Sequence, residues 1–211
     1  MIRVKVCGMT DPDNLLAISE AGPDYLGYIF YPQSARYIGR APEMSLFNLV
    51  PAAIEKVGVF VNEDIEAVTE IADRYRLDVV QLHGYEKPDY CAVIKAKGIK
   101  VIKSFAITVN FSFGDLVSYT DACDFFLFDT QASGFGGSGL KFNWDKLSEY
   151  TLDKPFFLSG GIGPGDIGLI EGINNKFLYA VDINSKFETG PGIKDFNAVK
   201  TFIKKIKKTG V

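Results

Sequence analysis

The stretch Lys56–Leu82, KVGVFVNEDIEAVTEIADRYRLDVVQL, holds the pattern that decides the fold. It begins with a short valine-rich run, passes through a polar turn into a helix-like segment, and ends on a second apolar run. Short β-branched runs are typical of buried strands, and apolar residues three and four positions apart are typical of an amphipathic helix. The stretch is therefore predicted to form a strand–helix–strand unit with parallel strands.

The same alternation continues in both directions along the chain. Eight strands are predicted, at Arg3–Val6, Tyr25–Phe30, Lys56–Val61, Asp78–Leu82, Lys100–Ser104, Asp124–Phe128, Pro155–Leu158 and Leu178–Val181. Helix-like segments follow them at Asp13–Ala21, Glu43–Pro51, Asp64–Tyr75, Pro88–Lys97, Phe113–Thr120, Asn143–Tyr150, Pro164–Gly172 and Lys194–Lys207. Eight such units predict an α/β protein built as one closed (β/α)₈ TIM barrel over residues 1–211.

An open, doubly wound sheet is the alternative architecture for alternating strands and helices. Such a sheet usually carries a G-x-G-x-x-G fingerprint after its first strand, and Cys7-Gly8-Met9-Thr10 does not match it. The barrel is therefore favoured. With no Ser/Gly linker and no shift in composition, a single domain is predicted.

Composition limits the function. The chain has 23 Lys+Arg and 26 Asp+Glu, a net charge of −3, which disfavours a nucleic-acid partner. It has no run of 18 apolar residues and no signal-peptide pattern, so a cytoplasmic protein without a membrane partner is expected. The cysteines are odd in number and His83 is the only histidine, so neither a disulfide framework nor a zinc site is expected.

Polar residues end several of the predicted strands. Because side chains alternate between the two faces of a strand, Cys7, His83, Asp129 and Asp182 are predicted to share the inner face, with Gln81 one layer below His83. They would converge at the C-terminal mouth, where barrels of this kind build their active sites. Each also has a simpler interpretation: a buried thiol, a hydrogen-bonded polar pair, or carboxylates that cap turns.

A glycine-rich segment and a polar segment follow the last two predicted strands. Ser159–Pro164 follows the seventh predicted strand, and Asp182–Lys186 follows the eighth. The loops after these two strands often hold a phosphate on backbone N–H groups, so a phosphate-binding barrel is predicted. A third segment, Gly134–Gly139, is interpreted as a lid or ligand loop, or else as a plain connector.

These motifs together carry a resemblance that runs essentially from end to end. The matching segments are Lys5–Thr10, Ser34–Ile38, Val57–Asn62, Val80–Gly84, Gly136–Gly139, Ser159–Ile162 and Val181–Asp195. In this order they resemble the phosphoribosylanthranilate isomerase family of tryptophan biosynthesis. The resemblance implies a cofactor-free Amadori rearrangement of N-(5-phosphoribosyl)anthranilate to 1-(2-carboxyphenylamino)-1-deoxyribulose 5-phosphate, with this small phosphorylated molecule as the partner and no obligate protein partner.

The resemblance also implies residue roles. Cys7 would be the general base and Asp129 the general acid, while Arg36 would hold the anthranilate carboxylate. Asp182 would lie near the linking amine, with Gln81 and His83 as further substrate-binding residues. The phosphate would be bound by backbone amides, those of Gly160, Gly161, Asn184 and Ser185.

The chain departs from the family pattern at three places. Leu140 stands where a lysine is frequent, with Lys141 one position later; Lys186 stands where glycine is common; and Ala35 replaces a frequent proline before Arg36. None of these touches the acid–base pair.

Two rival functions stay open at this point. One is another phosphosugar-barrel isomerase, such as the histidine-pathway enzyme, which would carry a carboxylate where this chain has Cys7. The other is a non-catalytic sensor of a phosphorylated ligand, which would need neither Cys7 nor Asp129.

Overall fold

Eight parallel strands close into a barrel in chain order, with the first strand beside the last. The computed structural model describes residues 1–130 and 141–208. The strands are β1 Arg3–Cys7, β2 Tyr25–Ile29, β3 Glu55–Phe60, β4 Val79–Leu82, β5 Lys100–Ile107, β6 Phe125–Thr130, β7 Phe156–Leu158 and β8 Leu178–Ile183. The predicted (β/α)₈ barrel is confirmed.

The helices outside the barrel are less regular than the sequence pattern predicts. The α-helices are α1 Pro12–Glu20, α2 Ser45–Asn48, α3 Ile65–Arg74, α4 Pro88–Ala96, α5 Ile167–Glu171 and α6 Phe196–Ile206. Short 3₁₀ helices, Phe113–Tyr119 and Trp144–Glu149, follow β5 and β6. The connections after β5 and β6 were predicted as helix-like, and a 3₁₀ turn meets that prediction only in part.

The segment before α6 corrects the sequence prediction. A two-stranded antiparallel ribbon, β9 Glu188–Gly190 and β10 Ile193–Lys194, follows β8. Lys194 therefore belongs to a strand, although it was predicted to begin the last helix. The physical reason is Asp195, whose carboxylate accepts the N–H of Ala198 at 3.0 Å and so caps a helix that begins at Phe196, two residues later than predicted.

The apolar core has two layers. The larger cluster lies between the strands and the helices. The smaller one fills the barrel with one residue from each of seven strands: Tyr25, Val57, Val79, Ile102, Leu127, Phe157 and Ala180. Val79, Leu127 and Ala180 lie two residues before Gln81, Asp129 and Asp182, so these polar side chains share the inward face. Among the described residues no helix is both long and apolar enough to cross a membrane.

Candidate active site

One pocket opens at the carboxyl ends of the barrel strands. Its lining contains nine of the predicted site residues: Cys7, Gln81, His83, Asp129, Gly160, Gly161, Asp182, Asn184 and Ser185. They come from five different strand ends, which only the closed barrel brings together. Arg36, the tenth predicted residue, is not among the lining residues, although Ser34 of the same loop is.

Cys7 ends β1 and lies against a glycine of the neighbouring strand. Gly27 is its register partner, and a Cβ atom on Gly27 would lie 2.8 Å from the Cys7 Sγ. Only glycine at this position leaves room for the thiol inside the barrel. Gly27 has no local sequence signal, because its role depends on the register between two strands.

A buried ion pair lies beneath Cys7. Lys5 Nζ lies 2.9 Å from Asp182 Oδ2, and the lysine side chain is fully buried. Burial raises the pKa of Cys7, and the charge of Lys5 opposes this shift without cancelling it. Burial likewise raises the pKa of the Asp182 carboxyl despite its lysine partner. Cys7 therefore rests as a neutral thiol at neutral pH.

The lone histidine connects Gln81 to Asp129. Gln81 Nε2 and His83 Nδ1 are 2.9 Å apart. Because an amide nitrogen can only donate, Nδ1 is the acceptor and Nε2 carries the ring hydrogen. That nitrogen lies 3.5 Å from Asp129 Oδ2. The pair predicted between Gln81 and His83 is present, and it directs a ring N–H towards the carboxylate.

Asp129 is covered by the loop after β7. Its Oδ1 accepts the N–H of Thr130 at 2.7 Å. Gly160 has φ +92°, and a Cβ atom there would lie 2.9 Å from the same oxygen and 2.3 Å from Thr130 Oγ1. Glycine at position 160 thus allows the loop backbone to pass directly over the carboxylate. The candidate acid and the candidate phosphate loop are consequently in contact.

Asp166, which sequence reasoning missed, holds the rest of the β7 loop. One carboxylate oxygen accepts the N–H of Gly163 at 2.6 Å, and the other lies 2.5 Å from Lys141 Nζ. Lys141, displaced by one position from the family pattern, thus anchors the chain that returns from β6. The segment Gly134–Gly139 and Leu140 lie outside the described residues.

Arg36 turns towards the carboxylate of Glu188, which is not among the predicted site residues. Its Nε and Nη2 lie 2.8 Å and 2.6 Å from Glu188 Oε1 and Oε2. Burial by itself would raise the pKa of Glu188, but the hydrogen bonds from Arg36 and Lys194 outweigh it and hold the pKa below its ordinary value. A carboxylate 152 positions away from its partner gives no local sequence signal.

The arrangement supplies what a proton-transfer reaction needs. A thiol from β1 and a carboxylate from β6 face one pocket from distant strands, so they can act on different atoms of one bound molecule. Among residues 1–130 and 141–208, no group of three or more His, Cys, Asp or Glu side chains could hold a metal ion. Freedom from metal and cofactor stays a prediction.

Comparison with known proteins agrees with this geometry. Residues 4–205 match the family model described as N-(5'-phosphoribosyl)anthranilate isomerase. A protein of that name from Phocaeicola vulgatus is 45% identical over 204 residues, covering 97% of each chain. One from Thermotoga neapolitana is 40% identical over 210 residues, covering 98% of this chain and 99% of the relative.

Solved structures give the same result. A phosphoribosylanthranilate isomerase in complex with reduced 1-(o-carboxyphenylamino)-1-deoxyribulose 5-phosphate is 32% identical, with a TM-score of 0.83, covering 99% of this chain and all of that one. The Thermotoga maritima isomerase is 34% identical, with a TM-score of 0.85 and the same coverage.

Proposed function

Because the chain belongs to the N-(5'-phosphoribosyl)anthranilate isomerase family, it is an isomerase of tryptophan biosynthesis, and we propose the roles of its own residues in that reaction. The reaction opens the ribose ring, moves a hydrogen away from C2 and leaves a ketone. The other phosphosugar isomerases and the non-catalytic sensor are set aside. The observation that carries the proposal is the placement of Cys7 and Asp129 on distant strands of one pocket.

Asp129 is the general acid. Ring opening needs a proton on the ring oxygen, which a carboxylic acid at the pocket wall can deliver. His83 Nε2 lies 3.5 Å from Asp129 Oδ2. Its N–H stabilises the negative charge that remains on Asp129 after the proton transfer. Gly160 and its loop lie against the same carboxylate and hold it at the pocket wall.

Cys7 is the general base. Ring opening produces an iminium ion, whose positive charge acidifies the hydrogen on the neighbouring C2. Burial keeps Cys7 a thiol in the free protein, so formation of the thiolate depends on that positive charge in the pocket. The thiol first releases its own proton to solvent; the thiolate then takes the proton of C2, and an enolamine remains that tautomerises to the ketone.

The remaining predicted residues bind the substrate. The N–H groups of Gly160 and Gly161 donate to no described residue, and together with Asn184 and Ser185 they form the phosphate site. Asp182 Oδ1 is buried without a partner among the described residues and accepts from the linking amine. Arg36 reads the anthranilate carboxylate.

The proposal extends to the setting of the enzyme. We take residues 1–211 as one domain that needs no metal, cofactor or obligate protein partner and binds no nucleic acid. A cytoplasmic location is supported by its three cysteines, all of which are free thiols.

Turnover by variants of the two catalytic residues tests the proposal. Cys7→Ser and Asp129→Asn should each lower kcat by roughly 10²–10⁴ while circular dichroism stays unchanged, since each removes a general acid or base. Cys91→Ser is the matched control, because this buried thiol lies on α4 away from the pocket.

All assays are run with excess EDTA. Loss of wild-type turnover that added metal restores would overturn the cofactor-free mechanism, and full activity of either variant would overturn its residue's role.

A further inference from the structure

We propose that Glu188 is the positioning residue of Arg36 and that Lys194 joins this pair to the phosphate loop, an inference that rests on the role of Arg36 proposed above. Arg36, Glu188, Lys194 and Asn184 form one continuous set of contacts along the pocket edge. This network would fix which edge of the guanidinium group reads the substrate carboxylate.

Glu188 occupies one edge of the guanidinium group completely. Its Oε1 accepts from Arg36 Nε at 2.8 Å, and its Oε2 accepts from Nε at 3.1 Å and from Nη2 at 2.6 Å. Among the described residues, Arg36 Nη1 has no acceptor. A planar guanidinium held by two bonds cannot rotate, so the Nη1 side is the one left for a carboxylate.

Glu188 itself has no capacity left for a substrate. Besides Arg36, its Oε1 accepts the N–H of Gly192 at 3.1 Å and lies 2.5 Å from Lys194 Nζ. Its side chain is only 5% exposed. A carboxylate with this many donors acts through its neighbours and does not contact the ligand.

Lys194 connects the two ends of the binding site. Its fully buried ammonium also donates to Asn184 Oδ1 at 2.6 Å, on the loop that we assign to the phosphate. Arg36 and Asn184 both pack against Gly8. A Cβ atom on Gly8 would lie 2.7 Å from Arg36 Cδ and 3.0 Å from Asn184 Oδ1. The carboxylate end and the phosphate end are therefore held by one contiguous set of side chains.

The charges explain why a lysine accompanies the pair. Glu188 alone would neutralise Arg36 and remove its attraction for an anionic substrate. With Lys194 the cluster holds two positive charges and one negative charge, so a net positive charge remains beside the pocket. Glu188 thus orients the arginine without cancelling its electrostatic effect.

Affinity for two non-reacting ligands tests the inference. One is the product reduced at its ketone, and the other is the same compound with hydrogen in place of the aryl carboxylate. Calorimetry on the full chain gives the ratio of the two dissociation constants. Glu188→Gln should shrink the preference for the carboxylated ligand by about tenfold, the effect of one lost charge-assisted hydrogen bond. In the Arg36→Met background, Glu188→Gln should change the ratio no further.

The control is Glu86→Gln, which breaks an equally buried pair with Lys103, 3.0 Å apart, without touching Arg36. It should leave the ratio unchanged whatever it does to stability. If Glu188→Gln folds poorly, Glu188→Gln/Lys194→Met removes both buried charges and should show the same loss of preference.

Two results distinguish the positioning role of Glu188 from the carboxylate-binding role of Arg36. An unchanged ratio in Arg36→Met would overturn the role of Arg36 in reading the carboxylate. A reduced ratio in Arg36→Met with an unchanged ratio in both Glu188 variants would overturn only the positioning role of Glu188.

Discussion

At Cys7, burial and charge act on the thiol in opposite directions. Burial raises its pKa above the ordinary 9.0, and Lys5 opposes the shift without cancelling it. The thiolate should therefore appear only above pH 9 in the free protein. The thiolate absorbance of the wild type minus that of Cys7→Ser measures this directly. Cys91 and Cys123, whose pKa values burial raises to about 11 and about 12, are present in both proteins and cancel in the difference. A midpoint below pH 9 would contradict burial as the dominant influence.

The sequence predicts single residues well when their signal is local. Cys7, His83, Asp129 and Asp182 follow from alternation along a strand, because the last inward position of each strand must face the mouth. Glu188 does not follow from any such rule. Its role arises from an arginine on a distant loop, and pairwise contacts of that kind are visible only in the folded chain.

At the level of elements, the strands were predictable and several helices were not. Buried parallel strands read as continuous apolar runs, so β1 to β8 appear in the sequence close to their observed positions. The connection after β6 contains 3₁₀ helix Trp144–Glu149, where the Asn143 side chain accepts the N–H of Asp145 at 3.1 Å and caps a short turn. Helix length is decided there by local hydrogen bonds, which composition does not reveal.

The loop after β7 gives a prediction for phosphate binding. Gly160→Ala places a Cβ atom 2.3 Å from Thr130 Oγ1 at a φ of +92°, so the loop must move and its N–H groups turn away. Inorganic phosphate should then compete with substrate about tenfold less well, as expected for one lost charge-assisted hydrogen bond. Gly165→Ala in the same loop meets nothing within 4 Å and is the control. Equal inhibition of both variants by phosphate would place the phosphate elsewhere.

At the level of the whole molecule, the barrel closes where β1 meets β8. Lys5 and Asp182 are register partners across that seam, and their ion pair is buried. Lys5→Met leaves an unpaired buried carboxylate, which should lower the free energy of unfolding by about 3–5 kcal/mol in urea denaturation. Lys100→Met breaks an exposed pair with Glu55 and should cost about 0–1 kcal/mol. Similar losses of unfolding free energy in both variants would show that the Lys5–Asp182 pair stabilises the barrel no more than an exposed pair does.

The closed topology also explains how the sequence could predict the site as a whole. Parallel strands of one barrel all end at the same mouth, so their last residues meet without any knowledge of distances. What the sequence did not show is how two of these groups are surrounded: Gly27 makes room for the thiol, and Asp166 holds the loop after β7. Each depends on register and burial in the finished barrel.

In the proposed reaction, Cys7 takes the proton from C2 and Asp129 delivers one to the ring oxygen. The most direct measurement is the deuterium isotope effect on kcat with substrate deuterated at C2. In Cys7→Ser the effect should rise above the wild-type value, because proton abstraction becomes the slow step. In Asp129→Asn it should vanish, because ring opening becomes the slow step. An equal effect in both variants, or the reverse pattern, would contradict this division of roles.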